Sequence, residues 1–425
     1  MKSFKELGIN DRLVDLLAKN GIKTPTPIQE QSIPKIIDGR DIIGEAQTGT
    51  GKTLAFLLPM LEGINAEKNE IQGLIMAPTR ELAIQITAEA KKLCAPFGIN
   101  ILAVYGGQDV FNQLRKLENG VHIVIGTPGR VIDHMKRDSI NLGALRYLVL
   151  DEADVMLNMG FVHDMEDIIS KTPKRRQTML FSATIPKGLR NLAKKYMKEP
   201  ETIRVESDNI ILEEINQIVI KTTDREKEDA LIKILREENP FMAIIFCRTK
   251  RRVKTLNNHL QEEGFITDEI HGDLSQSKRE KVMKSFRKME IPLLVATDVA
   301  ARGLDVEGIT HIFNFDIPED ADSYIHRIGR TGRAGEKGKA YTFVTPKNAE
   351  DLTSIEKKIN VTIKSKDMIK NRNERPSRSS KSKAGTKEKS YKGSKEKSYK
   401  GNRWDKDSSS KGKSKSNSKS RGRKK

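Results

Sequence analysis

A short segment rich in glycine and threonine, residues 46–53 (AQTGTGKT), has the composition of a phosphate-binding loop. Small residues let backbone N–H groups approach phosphate oxygens, and the helix that begins at about Lys52 adds positive potential at its amino terminus. Lys52 could reach the β- and γ-phosphates, and Thr53 could bind Mg²⁺. A chance glycine-rich turn is the alternative. The candidate nucleotide-binding residues are Ala46, Gln47, Thr48, Gly49, Thr50, Gly51, Lys52 and Thr53, with Ala46 where the general pattern has glycine.

Two adjacent acids, Asp151 and Glu152, lie where the apolar run Tyr147 to Leu150 ends. In an open parallel sheet, ligands bind at the carboxyl ends of the strands. Asp151 could hold Mg²⁺, and Glu152 could orient and deprotonate an attacking water. The alternative is a helix N-cap followed by a charged first turn. Together with the phosphate loop, the two acids predict nucleotide hydrolysis.

A glycine-containing segment from His326 to Arg333 could present two guanidinium groups to a triphosphate. Arg330 and Arg333 would stabilise charge on the γ-phosphoryl oxygens, as arginine fingers do in other nucleotide hydrolases. A basic stretch that binds phosphate in general is the alternative, but it does not account for the histidine or the glycines. Because the loop and the acids lie in the first half of the chain and these arginines in the second, hydrolysis would require the two halves to close.

The order D-E-A-D at Asp151 to Asp154, after a phosphate loop, resembles the signature of the DEAD-box RNA helicases of superfamily two. The resemblance covers about residues 3–350, includes nearly every motif of that family, and is to the bacterial type with a short basic C-terminal tail. It implies an α/β fold of two tandem RecA-like parallel-sheet domains. It also implies ATP and Mg²⁺ as cofactors, RNA as the partner, and local unwinding of RNA duplexes or remodelling of RNA–protein complexes.

The resemblance assigns adenine recognition and coupling to further residues. Phe4 and Gln29 would contact adenine, because the amide of Gln29 offers both a donor and an acceptor, which suits adenine better than guanine. A phenylalanine near a terminus could instead fill the core. Ser182 and Thr184 would couple the nucleotide state to strand separation by bonding Asp154 or a neighbouring backbone group. The alternative for these hydroxyls is a turn cap.

The remaining implied roles concern RNA and the second half of the chain. Phosphate contacts need cationic or hydroxyl donors and close backbone approach, and they hold a strand without reading its sequence. In the first half, the residues implied to contact RNA lie in the segments 78–83, 106–107 and 127–130, and any one of these segments could also be an ordinary helix-start turn. His326 is assigned to coupling, and Gly303 and Asp305 are assigned to the nucleotide. The residues implied to contact RNA are Arg80, Gly106, Gly107, Thr127, Arg130, Arg248, Arg279 and Thr297.

The elements that must position these residues alternate along the chain, which predicts βαβ units and parallel sheets. The predicted strands are 41–44, 73–77, 101–105, 122–125, 146–150 and 177–181, then 242–247, 267–270, 292–296, 311–315 and 339–344. The pattern weakens around residues 204–214, so two α/β domains joined by a linker at about 205–209 are expected. We place the first domain at 1–205, the second at 210–360 and a tail at 361–425.

The tail carries nearly all of the excess positive charge. It holds 24 Lys or Arg against 6 Asp or Glu, whereas the rest of the chain has 53 against 52, and the formal net charge is +19. Its Lys, Ser, Gly and Arg composition cannot bury a core, so it is predicted to be disordered. A basic segment on a neutral body suggests a nucleic acid as partner, because neutralised phosphates release counterions. A solubilising end is the alternative.

Composition also bounds the location of the protein. No run approaches the roughly 18 apolar residues of a membrane span, and a basic-then-apolar leader is not seen. The cysteines, Cys94 and Cys247, are too few for a metal cage or a disulfide framework. The sequence therefore predicts a soluble, cytoplasmic protein, and it does not identify a protein partner.

Two other functions share parts of the pattern. A DNA helicase or translocase would also need a phosphate loop and arginine fingers, but the Gln29 segment and the D-E-A-D order argue against it. An RNA clamp that no longer turns over ATP is disfavoured because its hydrolytic residues Lys52, Glu152, Arg330 and Arg333 are intact.

Overall fold

The first half of the chain forms a seven-stranded parallel sheet in the computed structural model, which describes residues 2–47, 49–107, 120–205, 215–301, 306–332 and 337–368. The sheet order is β3-β4-β2-β5-β6-β1-β7. Strands β1 to β7 are Ile42–Glu45, Gly73–Met76, Ile101–Val104, Ile123–Gly126, Tyr147–Leu150, Gln177–Ser182 and Glu201–Arg204.

The helices of this half follow the strands, as parallel crossovers require. Several begin at a side chain that accepts a backbone N–H, such as Asn10, which bonds Leu13, and Thr79, which bonds Leu82. Helices α1 to α8 are Asp11–Lys19, Pro27–Ile37, Lys52–Gly63, Arg80–Cys94, Pro128–Lys136, Ala153–Asn158, Val162–Ser170 and Lys187–Tyr196. A 3₁₀ turn at Ala95–Phe97 extends α4.

The second half repeats the architecture with the order β10-β11-β9-β12-β13-β8-β14, again parallel throughout its described pairs. Strands β8 to β14 are Ile215–Lys221, Ala243–Cys247, Thr267–Ile270, Leu293–Thr297, His311–Asn314, Gly338–Val344 and Lys364–Asp367. Helices α9 to α14 are Lys227–Glu238, Lys250–Glu262, Gln276–Arg287, Asp298–Ala301, Ala321–Ile328 and Ala349–Ile359, with a 3₁₀ turn at Pro346–Asn348.

Each sheet separates two hydrophobic layers. In β2, Leu74 and Met76 pack into one cluster and Ile75 into the other, because successive side chains of a strand point to opposite faces. In β9, Ile244 and Ile245 divide between the two clusters of the second sheet in the same way. Helices on both faces therefore bury both sides of each sheet, as the alternating pattern predicts, and the two sheets in tandem match the RecA-like fold that the resemblance implies.

All eleven predicted strands are present, with ends that differ by at most one residue, and the predicted fold class is confirmed. Three further strands were missed. Strands β7 and β14 lie at sheet edges, and all four residues of β14 are exposed, so no apolar pattern marks it. Strand β8 has its apolar run interrupted by Asn216 and Gln217.

The predicted start of the disordered tail at residue 361 is wrong. Ile363 is 6% exposed and packs in the core of the second half, and β14 pairs with β8 immediately afterwards. Both sheets belong to one compact unit, Met1–Lys370. The rest of the predicted tail, 369–425, and most of the predicted linker, 206–209, lie outside the described residues. Across the described ranges, no helix is both long and apolar enough to cross a bilayer.

Two truncations test this boundary. Ending the chain at Asn360 removes Ile363 and β14, whereas ending it at Met368 keeps both. We expect the shorter chain to lose about 2 to 4 kcal/mol of unfolding free energy in its second domain, because a buried isoleucine and a strand ladder are lost. Urea unfolding followed by circular dichroism measures this. The chain ending at Met368 is the control and should match the full chain; equal stability of the two truncated chains would contradict the assignment.

Candidate functional site

The phosphate loop connects β1 directly to α3, whose first residue is Lys52. Gly49 and Gly51 have φ of +88° and +89°, a conformation that favours glycine. Lys52 is 6% exposed and its Nζ donates to the Ala46 carbonyl at 2.7 Å. Thr50 donates from Oγ1 to a loop carbonyl at 2.7 Å. The loop thus folds around the lysine, with Thr53 in the first turn of α3.

Gln29 holds this loop against α2. Its Nε2 donates to the Gly51 carbonyl at 2.9 Å, and its Oε1 accepts from the Thr26 backbone N–H at 2.9 Å. The side chain is 2% exposed. Phe4 is 1% exposed and belongs to the hydrophobic core of the first half, so its ring fills the core in this structure. The adenine contacts of Gln29 and Phe4 stay predictions.

The two acids lie directly after β5. Asp151 is 3% exposed and Glu152 is 6% exposed, and the Glu152 N–H donates to Asp151 Oδ1 at 3.0 Å. Burial raises the pKa of Asp151 to about 7; the charge of Glu152 adds to the rise, and Lys52 opposes it. Glu152 has φ +49°, and its Oε2 is buried without a hydrogen-bond partner in the part of the chain that the structure describes. A buried, unsatisfied carboxylate oxygen is available to bind a water.

Asp154 is bonded to the end of the neighbouring strand β6. Its N–H donates to Ser182 Oγ at 3.0 Å, while its Oδ2 accepts from both the N–H and the hydroxyl of Thr184 at 3.0 Å. Ser182 is fully buried. Because β1, β6 and β5 are adjacent parallel strands, their carboxyl ends bring the loop, these hydroxyls and the acids to one edge of the sheet.

In the second half, Arg330 follows α13, is 4% exposed, and donates from Nε to the His326 carbonyl at 3.3 Å. His326 lies within α13 itself. The other predicted nucleotide residues of this half and one residue of the loop, namely Arg333, Gly303, Asp305 and Thr48, lie outside the described residues.

Arg327 is a residue that the sequence analysis missed. Its guanidinium donates two hydrogen bonds to the carboxylate of Asp298, from Nε to Oδ1 at 2.5 Å and from Nη2 to Oδ2 at 2.6 Å. A third hydrogen bond runs from Nη1 to the Asp316 carbonyl at 2.5 Å. The fork joins the residue after β11 to α13, which carries His326 and precedes Arg330. An arginine beside His326 was visible in the sequence, but its partner could not be identified without the fold.

A cleft of about 400 Å³ lies between the two halves and is lined by both. The first half supplies Arg80, Gly106, Thr127 and Arg130, and the second supplies Arg279. These are five of the eight residues predicted to contact RNA. All follow the carboxyl ends of strands or begin the helices after them, so the carboxyl edges of the two sheets face each other across the cleft.

The other three predicted RNA residues are placed nearby or elsewhere. A Cβ on Gly107 would lie 2.6 Å from Arg80 Nη1, so the glycine leaves room for that arginine. Thr297 ends β11 and is 8% exposed. Arg248 has a half-exposed side chain that donates from Nη2 to the Ile317 carbonyl at 3.3 Å.

Side-chain contacts between described residues cross the cleft at two places. Arg279 Nε donates to Glu81 Oε1 at 2.9 Å, with Nη2 at 2.8 Å from the same oxygen, and the two side chains are 10% and 9% exposed. Arg80 Nη1 donates to Gln276 Oε1 at 3.3 Å. Burial lowers the pKa of Arg80, and the charge of Arg279 lowers it further. Glu81 and Gln276 were not assigned roles from the sequence.

The donor set at the first-half edge fits Mg²⁺. No cluster of three or more His, Cys, Asp or Glu that could hold a metal occurs in the described ranges. Mg²⁺ in nucleotide sites needs only one or two carboxylates besides phosphates and water. The buried carboxylate of Asp151 and the hydroxyl of Thr53 provide such a set, and a dication would relieve the repulsion between Asp151 and Glu152.

Comparisons with known proteins agree with this geometry. A DEAD/DEAH box helicase model matches residues 26–192, and a helicase conserved C-terminal domain model matches residues 226–335. The chain is 48% identical over 357 residues to the DEAD-box ATP-dependent RNA helicase CshA of Bacillus cereus (strain ATCC 10987 / NRS 248), covering 84% of this chain and 68% of the relative.

Solved structures are also similar. S. cerevisiae Dbp5 bound to RNA and ADP BeF3 matches with a TM-score of 0.80 and 32% identity, covering 86% of this chain and 96% of that chain. A Dbp5 variant bound to a Gle1 variant and IP6 matches with a TM-score of 0.69 and 31% identity, covering 86% and 95%.

Tandem RecA-like domains with a phosphate loop and paired acids at one sheet edge define a nucleotide-dependent motor enzyme. The chain belongs to the DEAD-box ATP-dependent RNA helicases. It is an RNA-stimulated ATPase that binds nucleotide and RNA, and it unwinds RNA duplexes or remodels RNA–protein complexes at the expense of ATP.

The contact between Gln29 and the loop predicts different effects for two glycine substitutions. A Cβ at Gly51 would lie 2.4 Å from Gln29 Nε2, whereas one at Gly49 meets no described atom within 4 Å, and both positions have nearly the same φ. We expect Gly51→Ala to weaken ATP binding about tenfold more than Gly49→Ala, because backbone strain is matched and the collision with Gln29 is not. Titration with a fluorescent ATP analogue measures this. Equal losses would show that Gln29 does not hold the loop.

Proposed function

We propose that this helicase acts as a clamp whose two domains close on single-stranded RNA when ATP is bound, and that the paired partner strand is excluded from the closed cleft. The observation that carries the proposal is the buried pair between Glu81 and Arg279, which joins the two domains across the cleft. Hydrolysis would remove the γ-phosphate from between the domains and let the clamp open.

The energetics of that pair favour a two-state clamp. Each side chain is largely buried, and separating the pair while either charge stays buried would cost about 3 to 5 kcal/mol, which disfavours arrangements between open and closed. In an open protein both groups would return to water, so the pair belongs to the closed arrangement alone. Ligands that favour closure therefore shift the population towards it, which explains why RNA and ATP would stimulate each other's binding.

The structural comparisons support the same arrangement. Two Dbp5 chains match with nearly equal identity and coverage, but the one bound to RNA and ADP BeF3 has the higher TM-score, 0.80 against 0.69. Since the two Dbp5 chains share one fold, the difference is consistent with a domain arrangement that resembles the RNA-bound form.

The cleft has the chemistry of a phosphate-backbone site. Arg80 and Arg130 supply cationic donors, Thr127 a hydroxyl, and Gly106 a backbone without a side chain. These groups contact phosphate and sugar rather than base edges, so the core should bind RNA with little regard to sequence.

The hydrolytic chemistry is assigned to residues of both domains. Lys52 would bind the β- and γ-phosphates, and Glu152, whose Oε2 is unsatisfied, would orient and deprotonate the attacking water. Arg330 and Arg333 would stabilise the charge that develops on the transferred group. Asp151 and Thr53 would hold Mg²⁺, which supplies electrostatic stabilisation of the phosphates when bound.

The hydrogen bonds that Asp154 donates to Ser182 and accepts from Thr184 offer a route for coupling. They tie the acid after β5 to the end of β6, so a shift at the nucleotide would move both. His326, in the helix that precedes Arg330, is assigned to the same task.

The basic tail would add RNA affinity. Strand β14 runs parallel to β8, so Met368 leaves the second sheet at its carboxyl edge, which is the edge that faces the cleft. Lysines, arginines and a few aromatic side chains beyond this point supply charge and stacking without choosing a sequence.

The cytoplasmic location stays a prediction from the sequence.

ATP hydrolysis with single-stranded RNA, with DNA of the same sequence and without nucleic acid tests the enzyme assignment. We expect RNA to stimulate turnover much more than DNA, and Glu152→Gln to lower kcat at least about 100-fold because the general base is lost. The exposed Glu67→Gln is the control and should behave as the unaltered chain. Equal stimulation by DNA would indicate a DNA translocase. Full activity in Glu152→Gln would show that Glu152 is not the general base.

A charge exchange tests closure. Glu81→Arg and Arg279→Glu each leave like charges facing each other, so each should raise the RNA concentration for half-maximal ATPase about tenfold or more, and the double variant should recover part of the loss. Lys358→Glu, which breaks a more exposed pair with Asp322 within the second domain, is the control. If the double variant needs as much RNA for half-maximal ATPase as the two single effects combined predict, the clamp does not depend on this pair.

A further inference from the structure

The loop that follows β10 carries a buried histidine without a role in the proposed chemistry. His271 is fully buried, and its Nδ1 accepts the Asp273 backbone N–H at 3.2 Å. Its carbonyl accepts the Leu274 N–H at 3.2 Å, so the residue closes the turn that leads to Ser275, the N-cap of α11. The imidazole therefore fixes the path of the chain into the helix that carries Arg279.

The other ring nitrogen faces a second buried polar group. Because Nδ1 accepts a hydrogen bond, the neutral ring carries its proton on Nε2. That nitrogen lies 3.5 Å from Glu269 Oε1, and the two side chains are 1% and 12% exposed. Neither His271 Nε2 nor Glu269 Oε2 has a hydrogen-bond partner in the described ranges. Lys278, on α11, is 3.7 Å from Glu269 Oε1. Burying such groups with incomplete bonding is unfavourable, which indicates a role that packing alone does not require.

The turn is in direct contact with the cross-domain pair. Arg279 Nη1 donates to the His271 carbonyl at 3.4 Å, and the remaining N–H groups of the guanidinium reach Glu81. The His271 carbonyl holds Nη1 of the guanidinium within the second domain. Nε and Nη2 of Arg279 are then directed at the first domain. Gly272, the next residue in the turn, lines the RNA cleft.

We propose that His271, supported by Glu269, is a positioning residue that aims Arg279 at Glu81 and thereby sets how readily the domains close on RNA. The inference rests on the proposed clamp and adds to it the device that prepares one side of the contact. A planar guanidinium loses much of its interaction when its fork is misdirected, so the side chain of His271 acts on RNA binding at a distance through the turn.

Replacing His271 should change how ATPase activity depends on RNA concentration, but it should leave ATP binding nearly unchanged. In the full chain, His271→Ala is expected to raise the RNA concentration for half-maximal ATPase about tenfold, with ATP affinity in the absence of RNA changed less than about twofold. His271→Asn, whose amide oxygen can still accept the Asp273 N–H, should recover most of the loss. His259→Ala, which removes a half-exposed histidine paired with Glu228 on the same domain, is the control.

A double-mutant cycle separates positioning from a general loss of structure. If His271 acts through Arg279 and Glu81, His271→Ala should have little further effect in a Glu81→Gln chain. The same fold-change in both backgrounds would overturn the proposal, as would an unchanged RNA dependence in His271→Ala. If His271→Ala fails to fold, judged by circular dichroism, Glu269→Gln, which changes the group that faces His271 Nε2, carries the same cycle. An unchanged RNA dependence in Glu81→Gln itself would instead refute the clamp.

Discussion

Every described strand pair in both sheets is parallel, and this constraint decides where chemistry can occur. Parallel strands end on the same edge, so the residues after β1, β5 and β6 meet at one place although they are far apart in sequence. The second sheet repeats the rule, and its carboxyl edge carries Arg279 and the turn at His271. Placing the two edges face to face makes one cleft from two sets of loops, so neither domain is complete alone.

Buried charge in the described part of this protein is mostly paired, and two of the exceptions, Glu152 and Glu269, lie at sites for which a role is proposed. Arg327 is held by Asp298, and Lys227 by Asp316 at 3.0 Å. Burial alone would raise the pKa of Asp316, but Lys227 and a backbone N–H hold it below its ordinary value. Glu152 differs, because one of its oxygens is buried and unsatisfied. Arg327 and Lys227 thus have partners of their own, whereas Glu152 has a buried oxygen that could accept a hydrogen bond from water.

The contact across the cleft joins two helix amino termini, those of α4 and α11. Glu81 and Gln276 both lie in the first turns of these helices, where an acidic or polar side chain is favoured by the unsatisfied N–H groups. Two positive helix ends flanked by Arg80 and Arg279 would repel one another without Glu81. In the proposed clamp, an RNA backbone would add further negative charge at the same place, so RNA binding and closure would reinforce each other.

The sequence by itself determined the fold class, the position of eleven strands and the segments that form the site, because hydrophobic periodicity and loop composition are local properties. Through the family resemblance it also indicated that Ser182 and Thr184 could bond Asp154 or a neighbouring backbone group. It did not reveal β14, because the exposed residues of this strand carry no apolar pattern. It also did not settle whether Phe4 is buried, because burial depends on the elements that pack against this ring. The pairs Glu81 with Arg279 and Asp298 with Arg327 were decided by tertiary structure alone. Partners separated by 198 and 29 residues are chosen by which strand ends become neighbours, and that choice is made by the packing of whole sheets.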